Sequence, residues 1–129
     1  MLRRDSRATR SGVAVRVVGV EPIFTVANVA IAVAHYERLG FTTSHHDAFY
    51  AFAHRDSLTI HLAQTGEEAT ARPGSIYMHV DDADRLADDW RTAGVEVVGP
   101  QDFDYGKREG SHTDPDGNLI RFGSPLRQG

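Results

Sequence analysis

Apolar residues recur every three or four positions in two segments of this chain, and this spacing predicts two amphipathic helices. They are Val29, Val33 and Tyr36 in the first segment and Ala83, Leu86, Ala87 and Trp90 in the second. Asn28 and Asp82 stand just before these runs, and their side-chain oxygens are suited to cap free helical N–H groups. Gly40 and Gly94 follow the runs and predict the helix ends, because glycine readily adopts the left-handed conformation needed there.

Short segments with the strand-favouring mixture of β-branched and aromatic residues surround both helices. They are residues 22–26, 42–46, 49–54 and 57–64 in the first half, and residues 75–80, 95–100, 108–113 and 118–123 in the second. Turn-forming letters separate the last two strands of each half, "RD" at residues 55–56 and "DPDG" at residues 114–117. Each half therefore has the order strand, helix, three strands.

The two halves form an internal repeat with an offset of 54 positions, the separation of Asn28 and Asp82. Residues with matching roles are Val26 and Val80, Tyr36 and Trp90, and Gly40 and Gly94. One such unit is too small to close a core alone, so we expect the two units to combine. The predicted fold class is α+β, with two βαβββ modules, residues 20–65 and 75–125, forming a curved mixed sheet around a cleft.

The modules are expected to make a single domain of residues 20–129, with residues 66–74 as the linker between them. Residues 1–19 are expected to form an N-terminal arm. Within that arm the letters "VAVRVV", residues 13–18, alternate in a way that predicts an extra strand. The arginine-rich start, "MLRRDSRATRSG", lacks the apolar stretch of a secretory signal, which favours a cytoplasmic protein.

Composition excludes several classes of function. The chain has 129 residues, a net charge of −4 and no cysteine. A nucleic-acid-binding domain would be basic, so we expect no nucleic-acid partner, while a mildly acidic surface suits a cationic small molecule. Disulfides and thiolate chemistry are ruled out. No apolar run approaches the roughly 20 residues that span a membrane, and no membrane association is expected.

The repeated modules, with "VANV" and "HYERLGF" near the start and "YGKREGSHTDPDGNLIRFGSP" near the end, resemble the vicinal oxygen chelate superfamily. This superfamily contains glyoxalases, ring-cleaving dioxygenases and bleomycin-resistance proteins. The resemblance covers roughly residues 20–125 and is strongest to the antibiotic-binding members. It implies the paired-module fold, but it does not by itself separate a catalyst from a drug-binding protein.

In metal-dependent relatives, the resemblance implies four inward-pointing ligands, and the matching positions here are Glu21, His61, Ser75 and Arg121. Serine is a poor neutral ligand, and a guanidinium has no lone pair to offer a metal. We therefore expect no metal, no cofactor and no catalytic residue. A shifted strand alignment would instead turn His79 or His112 inward.

In the antibiotic-binding relatives, aromatic side chains line a cleft that clamps a flat antibiotic. The positions that the resemblance assigns to ligand binding are Glu21, His45, Tyr50, His61, Tyr77, His79, Tyr105 and Arg121. It implies a non-catalytic protein that sequesters a planar antitumour-type antibiotic, such as a bleomycin-like, enediyne or anthraquinone compound. The alternative is an enzyme of the same superfamily, a lyase, isomerase or dioxygenase, that uses a metal or a Glu21 and His61 acid–base pair.

The resemblance also implies a homodimer in which each cleft is built from both chains. Two half-barrels with exposed sheet edges favour a symmetric pairing that covers those edges. The expected partners are therefore a small-molecule antibiotic and a second copy of the chain.

Overall fold

The computed structural model describes residues 14–65 and 72–126. The first module contains β1 (Ile23–Val26), α1 (Val29–Arg38), β2 (Thr42–Asp47), β3 (Tyr50–Arg55) and β4 (Leu58–Gln64). The second contains β5 (Ser75–His79), α2 (Ala83–Thr92), β6 (Val98–Phe103), β7 (Lys107–Thr113) and β8 (Leu119–Pro125). The predicted α+β class and the order of both βαβββ modules are confirmed.

The helix ends follow the predicted capping. Asn28 accepts a hydrogen bond from the Ile31 amide at 2.9 Å, and Asp82 accepts one from the Arg85 amide at 3.0 Å. Gly40 and Gly94 have φ values of +90° and +82°, which residues other than glycine rarely adopt. Local sequence thus sets the length of both helices.

The eight strands divide into two four-stranded mixed sheets, ordered β1-β4-β3-β2 and β5-β8-β7-β6. The pairs β1–β4 and β5–β8 are parallel, and the remaining pairs are antiparallel. The sequence predicts one curved sheet, whereas the structure has two, because the four strands of each module pair with one another. Each sheet therefore has one face against a helix and one face available for a site.

Strand alternation defines these faces. Ala51, Ile60 and Leu62 are fully buried on the helix side of the first sheet, and Ile120 and Phe122 are fully buried on the helix side of the second. The opposite face carries Tyr50, Phe52 and His61 in the first sheet, and Tyr77, Glu109 and Arg121 in the second. We call these surfaces the first open face and the second open face.

A shared core and a set of buried polar contacts join the modules. The Trp90 Nε1–H of α2 donates to the Leu39 carbonyl at 2.9 Å, and Trp90 is 1% exposed. The Tyr36 hydroxyl of α1 donates to Asp114, in the turn after β7, at 2.8 Å. Burial, and then the nearby Asp114 charge, raise the pKa of Tyr36. The modules thus pack helix side to helix side, which leaves both open faces outside this core.

The predicted extra strand in residues 13–18 is wrong for the part that the structure describes, residues 14–18, which form neither strand nor helix. Val15, Val17 and Val18 are 85%, 81% and 92% exposed. Alternation alone does not make a strand, because a strand also needs a neighbour to pair with its backbone groups. Val13 and the rest of residues 1–13 lie outside the described residues, as do residues 66–71 of the linker.

Candidate functional site

A chain of three hydrogen-bonded side chains lies on the first open face. The Tyr50 hydroxyl lies 2.7 Å from His61 Nδ1, and His61 Nε2 lies 2.7 Å from Glu21 Oε1. A neutral imidazole satisfies both contacts when Nε2–H donates to the carboxylate and Nδ1 accepts from the phenol. The Phe52 ring packs edge-on against the imidazole, with centroids 4.8 Å apart, and fixes its orientation.

The second open face is organised around one carboxylate, that of Glu109. Its Oε2 accepts from the Tyr77 hydroxyl at 2.6 Å, and its Oε1 accepts from the Tyr105 hydroxyl at 2.7 Å. Oε1 also accepts from Arg121 Nη2 at 3.0 Å. Glu109 of β7 thus accepts hydrogen bonds from one residue each of strand β5, the β6–β7 turn and strand β8. These three donors cover Glu109 so completely that it is only 5% exposed.

A glycine makes this arrangement sterically possible. Gly123 of β8 is the ladder partner of Glu109, so its missing side chain would stand between Tyr77 and Glu109. A Cβ at position 123 would overlap the Tyr77 hydroxyl oxygen and lie 3.0 Å from Glu109 Cγ. Gly123 is therefore needed here for close approach of side chains, since its φ lies in the ordinary range.

The hydrogen bonds change the acidity of all three groups. Donation from Tyr77, and then from Tyr105, holds the pKa of Glu109 below its ordinary value. Desolvation and the bond to Glu109 raise the pKa of Tyr77 to about 12. The bond to Glu109 is also the main cause of a raised pKa for Tyr105. At neutral pH the cluster therefore holds an ionised carboxylate and two protonated phenols.

Aromatic surfaces surround this carboxylate. The Tyr105 ring stacks on Phe103 at 5.5 Å with an interplanar angle of 18°, and Tyr105 is 59% exposed. Arg121 Cζ lies 5.8 Å from the centre of the Tyr77 ring, and the His79 ring lies 5.0 Å from it. The second open face thus presents flat rings with polar tips, a combination typical of ligand sites.

The predicted site residues therefore fall into two clusters on different sheets. Glu21, Tyr50 and His61 meet on the first open face. Tyr77, His79, Tyr105 and Arg121 meet on the second.

His45 joins neither cluster. Its ladder partner is Ala51, which is fully buried, so His45 lies on the helix side of the first sheet. The pairing shifts immediately after His45, and it is the neighbouring His46 whose ring contacts Tyr50, at 6.4 Å.

Sequence reasoning missed Glu109 and Gly123. Both were accessible in principle from the "DPDG" turn, because that turn sets the β7–β8 register and hence the Glu109–Gly123 and Ser111–Arg121 pairs. The structure also decides against the shifted strand alignment that would turn His112 toward the predicted metal position. His112 points toward the helices, with Nε2 2.8 Å from His35 Nε2 and Nδ1 2.7 Å from the Glu96 carbonyl. Burial, and then the charge of His112, lower the pKa of His35.

The divalent metal used by some relatives does not fit these residues. Glu21 and His61 bond to each other on the first open face, whereas Arg121 on the second presents a permanent cation paired with Glu109. A guanidinium at a ligand position supplies no lone pair and repels a cation. Within residues 14–65 and 72–126, no three His, Asp or Glu side chains form a group that could hold a metal ion.

A groove of about 1150 Å³ lies between the β3–β4 turn and the β5–α2 segment. Leu58, Met78 and Leu86 are among its apolar lining residues, and Tyr77 and His79 are the predicted site residues that reach it.

In the described part of the chain, neither helix is long and apolar enough to cross a membrane.

Two βαβββ modules with outward-facing polar and aromatic faces define the chain as a paired-module α+β protein. A family model matches residues 16–122, and its description is "Glyoxalase/Bleomycin resistance protein/Dioxygenase superfamily". The chain belongs to this superfamily. No curated protein matches the sequence.

Solved structures share the fold at low sequence identity. The bleomycin-binding protein of bleomycin-producing Streptomyces verticillus, complexed with copper(II)-bleomycin, superposes with a TM-score of 0.74 at 23% identity, over 88% of this chain and 100% of that one. Another bleomycin-binding protein complexed with bleomycin gives 0.72 at 20% identity, over 85% and 100%. A glyoxalase-related enzyme from Clostridium phytofermentans also gives 0.72 at 20% identity, over 91% and 100%. These likenesses show the fold, and they include both binding proteins and an enzyme.

Proposed function

We propose that this chain is a non-catalytic binding protein that sequesters a planar antibiotic of the bleomycin-like, enediyne or anthraquinone type. The observation that carries the proposal is the Glu109 cluster, in which one carboxylate holds Tyr77 and Tyr105 by their hydroxyl groups. Rings fixed in advance lose little conformational entropy when a flat ligand stacks on them, which favours affinity. The absence of lone pairs on Arg121, at a position where metal-dependent relatives have a ligand, supports binding over metal catalysis.

The second part of the proposal is a cytoplasmic homodimer in which the first open face of one chain meets the second open face of its partner. Large apolar side chains near these faces are exposed in the single chain; they are Ile23 at 58%, Phe49 at 61% and Val98 at 74%. Apolar surface of this kind is typical of interfaces and ligand sites. Each cleft would then combine Glu21, Tyr50 and His61 of one chain with the Glu109 cluster of the other.

A second candidate is an acid–base enzyme of the same superfamily. The Tyr50–His61–Glu21 chain favours it, since an imidazole held between a phenol and a carboxylate is suited to accept a proton from the phenol. In that case the first open face would carry the chemistry, and the second would position the substrate.

The test combines binding with recovery of the ligand. Purified protein is titrated calorimetrically with representative bleomycin, anthraquinone and enediyne antibiotics, and each bound ligand is then released and analysed by mass spectrometry. We expect one ligand per cleft, a dimer by sedimentation and release of unchanged ligand. His61→Gln should leave the recovered ligand unchanged too. Chemical conversion of the ligand that disappears in His61→Gln would establish the enzyme and overturn sequestration.

A further inference from the structure

In the Glu109 cluster of the second open face, the charged group that a ligand can reach is the Arg121 cation, although the whole chain carries a net charge of −4. The Glu109 carboxylate is 5% exposed and is covered by Tyr77, Tyr105 and Arg121. The side chain of Arg121 is 48% exposed. The anion of this ion pair is therefore hidden, and the cation is accessible.

Arg121 retains hydrogen-bonding capacity for a ligand. A guanidinium has five N–H donors in a planar fork, and Nη2 is the nitrogen that bonds to Glu109. Nearly half of the side chain faces solvent, so donors remain on the accessible side. Lys107 lies two residues before Glu109 on β7 and therefore on the same face, which adds a second positive charge. Asp104, which directly precedes Tyr105 in the turn before β7, is an exposed acidic residue.

A flat surface stands beside this cation. One side of the Tyr105 ring is stacked on Phe103, while Tyr105 as a whole is 59% exposed. The Tyr105 hydroxyl and Arg121 Nη2 bond to the same Glu109 oxygen at 2.7 and 3.0 Å, so they cannot lie more than about 5.7 Å apart. A ligand ring resting on Tyr105 would thus bring a substituent at its edge within reach of the guanidinium.

From this geometry we infer the chemical class of the ligand: a planar aromatic compound with an anionic or carbonyl oxygen at one edge. The ring stacks on Tyr105, and the edge oxygen accepts hydrogen bonds from Arg121. A quinone carbonyl, phenolate, carboxylate or sulfonate has this chemistry. The inference rests on the proposed binding function and narrows it, because the acidic net charge alone suggests a cationic ligand.

The test uses two probes that share one ring system and differ in charge, anthraquinone-2-sulfonate and 2-(aminomethyl)anthraquinone in its protonated form. Binding to the purified protein is measured by calorimetry at low salt. We expect the sulfonate to bind more tightly than the ammonium compound. Arg121→Gln should weaken sulfonate binding about ten- to a hundredfold, the usual effect of losing a charge-assisted hydrogen bond. Arg121→Lys should restore part of the loss, because it keeps the charge.

Asp104→Asn is the control for charge, since it removes a charge of the opposite sign from the exposed residue directly before Tyr105. We expect it to leave sulfonate binding unchanged or slightly stronger. Thermal melts of each variant check that the fold is intact. Tighter binding of the ammonium probe, or sulfonate binding that Arg121→Gln does not weaken, overturns the inferred ligand class while the binding function stands. Failure of both probes and of the antibiotic panel overturns the proposed function itself.

Discussion

The substitution Gly123→Ala tests whether the Glu109 cluster is held together as the structure indicates. The added Cβ would overlap the Tyr77 hydroxyl and lie 3.0 Å from Glu109 Cγ. The Tyr77 hydroxyl stands at the far end of its side chain, so a rotation about the side-chain bonds carries it away from the new Cβ. We therefore expect the backbone to remain in place and the Tyr77–Glu109 hydrogen bond to break.

The magnitude follows from that one bond. A hydrogen bond to a charged group contributes about 1.5–3 kcal/mol. Tyr77 is only partly buried, and water replaces some of the lost interaction, so we expect a loss of about 1–2 kcal/mol in unfolding free energy. For a domain of this size that corresponds to a fall in Tm of roughly 4–8 °C. The pKa of Tyr77, raised to about 12 in the wild type, should return toward 10.

The assay pairs thermal unfolding with an ultraviolet titration of the tyrosines. Gly19→Ala is the matched control, since nothing lies within 4 Å of a Cβ at that position. A double-mutant cycle with Tyr77→Phe isolates the cause, because removing the hydroxyl should make Gly123→Ala much less costly. If the two substitutions prove additive, or if the alkaline titration is unchanged in Gly123→Ala, the contact we describe is not the one that Gly123 protects.

Two further predictions concern stability. Trp90→Ala should cost about 3–5 kcal/mol of unfolding free energy, because it removes a fully buried ring and its hydrogen bond to the Leu39 carbonyl. Chemical denaturation measures this cost, and a value below about 1 kcal/mol would refute the shared core. Glu109 has a lowered pKa in the folded state, so its contribution is present above the unfolded value of about 4.5 and is lost as pH falls below it. Glu109→Gln should therefore flatten the acid side of the stability profile, whereas an unchanged profile would contradict the cluster. Tyr77 acts in the opposite sense, and stability should fall between about pH 10 and 12.

The sequence by itself determined the elements of this protein and their order. Caps at Asn28 and Asp82, and glycines at positions 40 and 94, fix the two helices through local hydrogen bonds and backbone conformation. The turns and the period-two alternation place seven of the eight strands to within about two residues of their observed bounds, whereas the strand predicted at residues 95–100 is shifted and forms β6 at Val98–Phe103. Spacing within one helix is enough to put Trp90 on the apolar side of α2, and that side is buried.

Tertiary structure alone decided which residues meet on those faces. Tyr77 and Glu109 are 32 positions apart, and their contact depends on the pairing of β5 with β8 and of β8 with β7. His45 lies on the helix side because β2 pairs with β3 in a register that alternation within β2 does not specify. Residues 14–18 alternate like a strand but have no partner strand in the described structure. Alternation records which residues share a face of one strand, whereas a site is assembled from several strands whose register is set by long-range pairing.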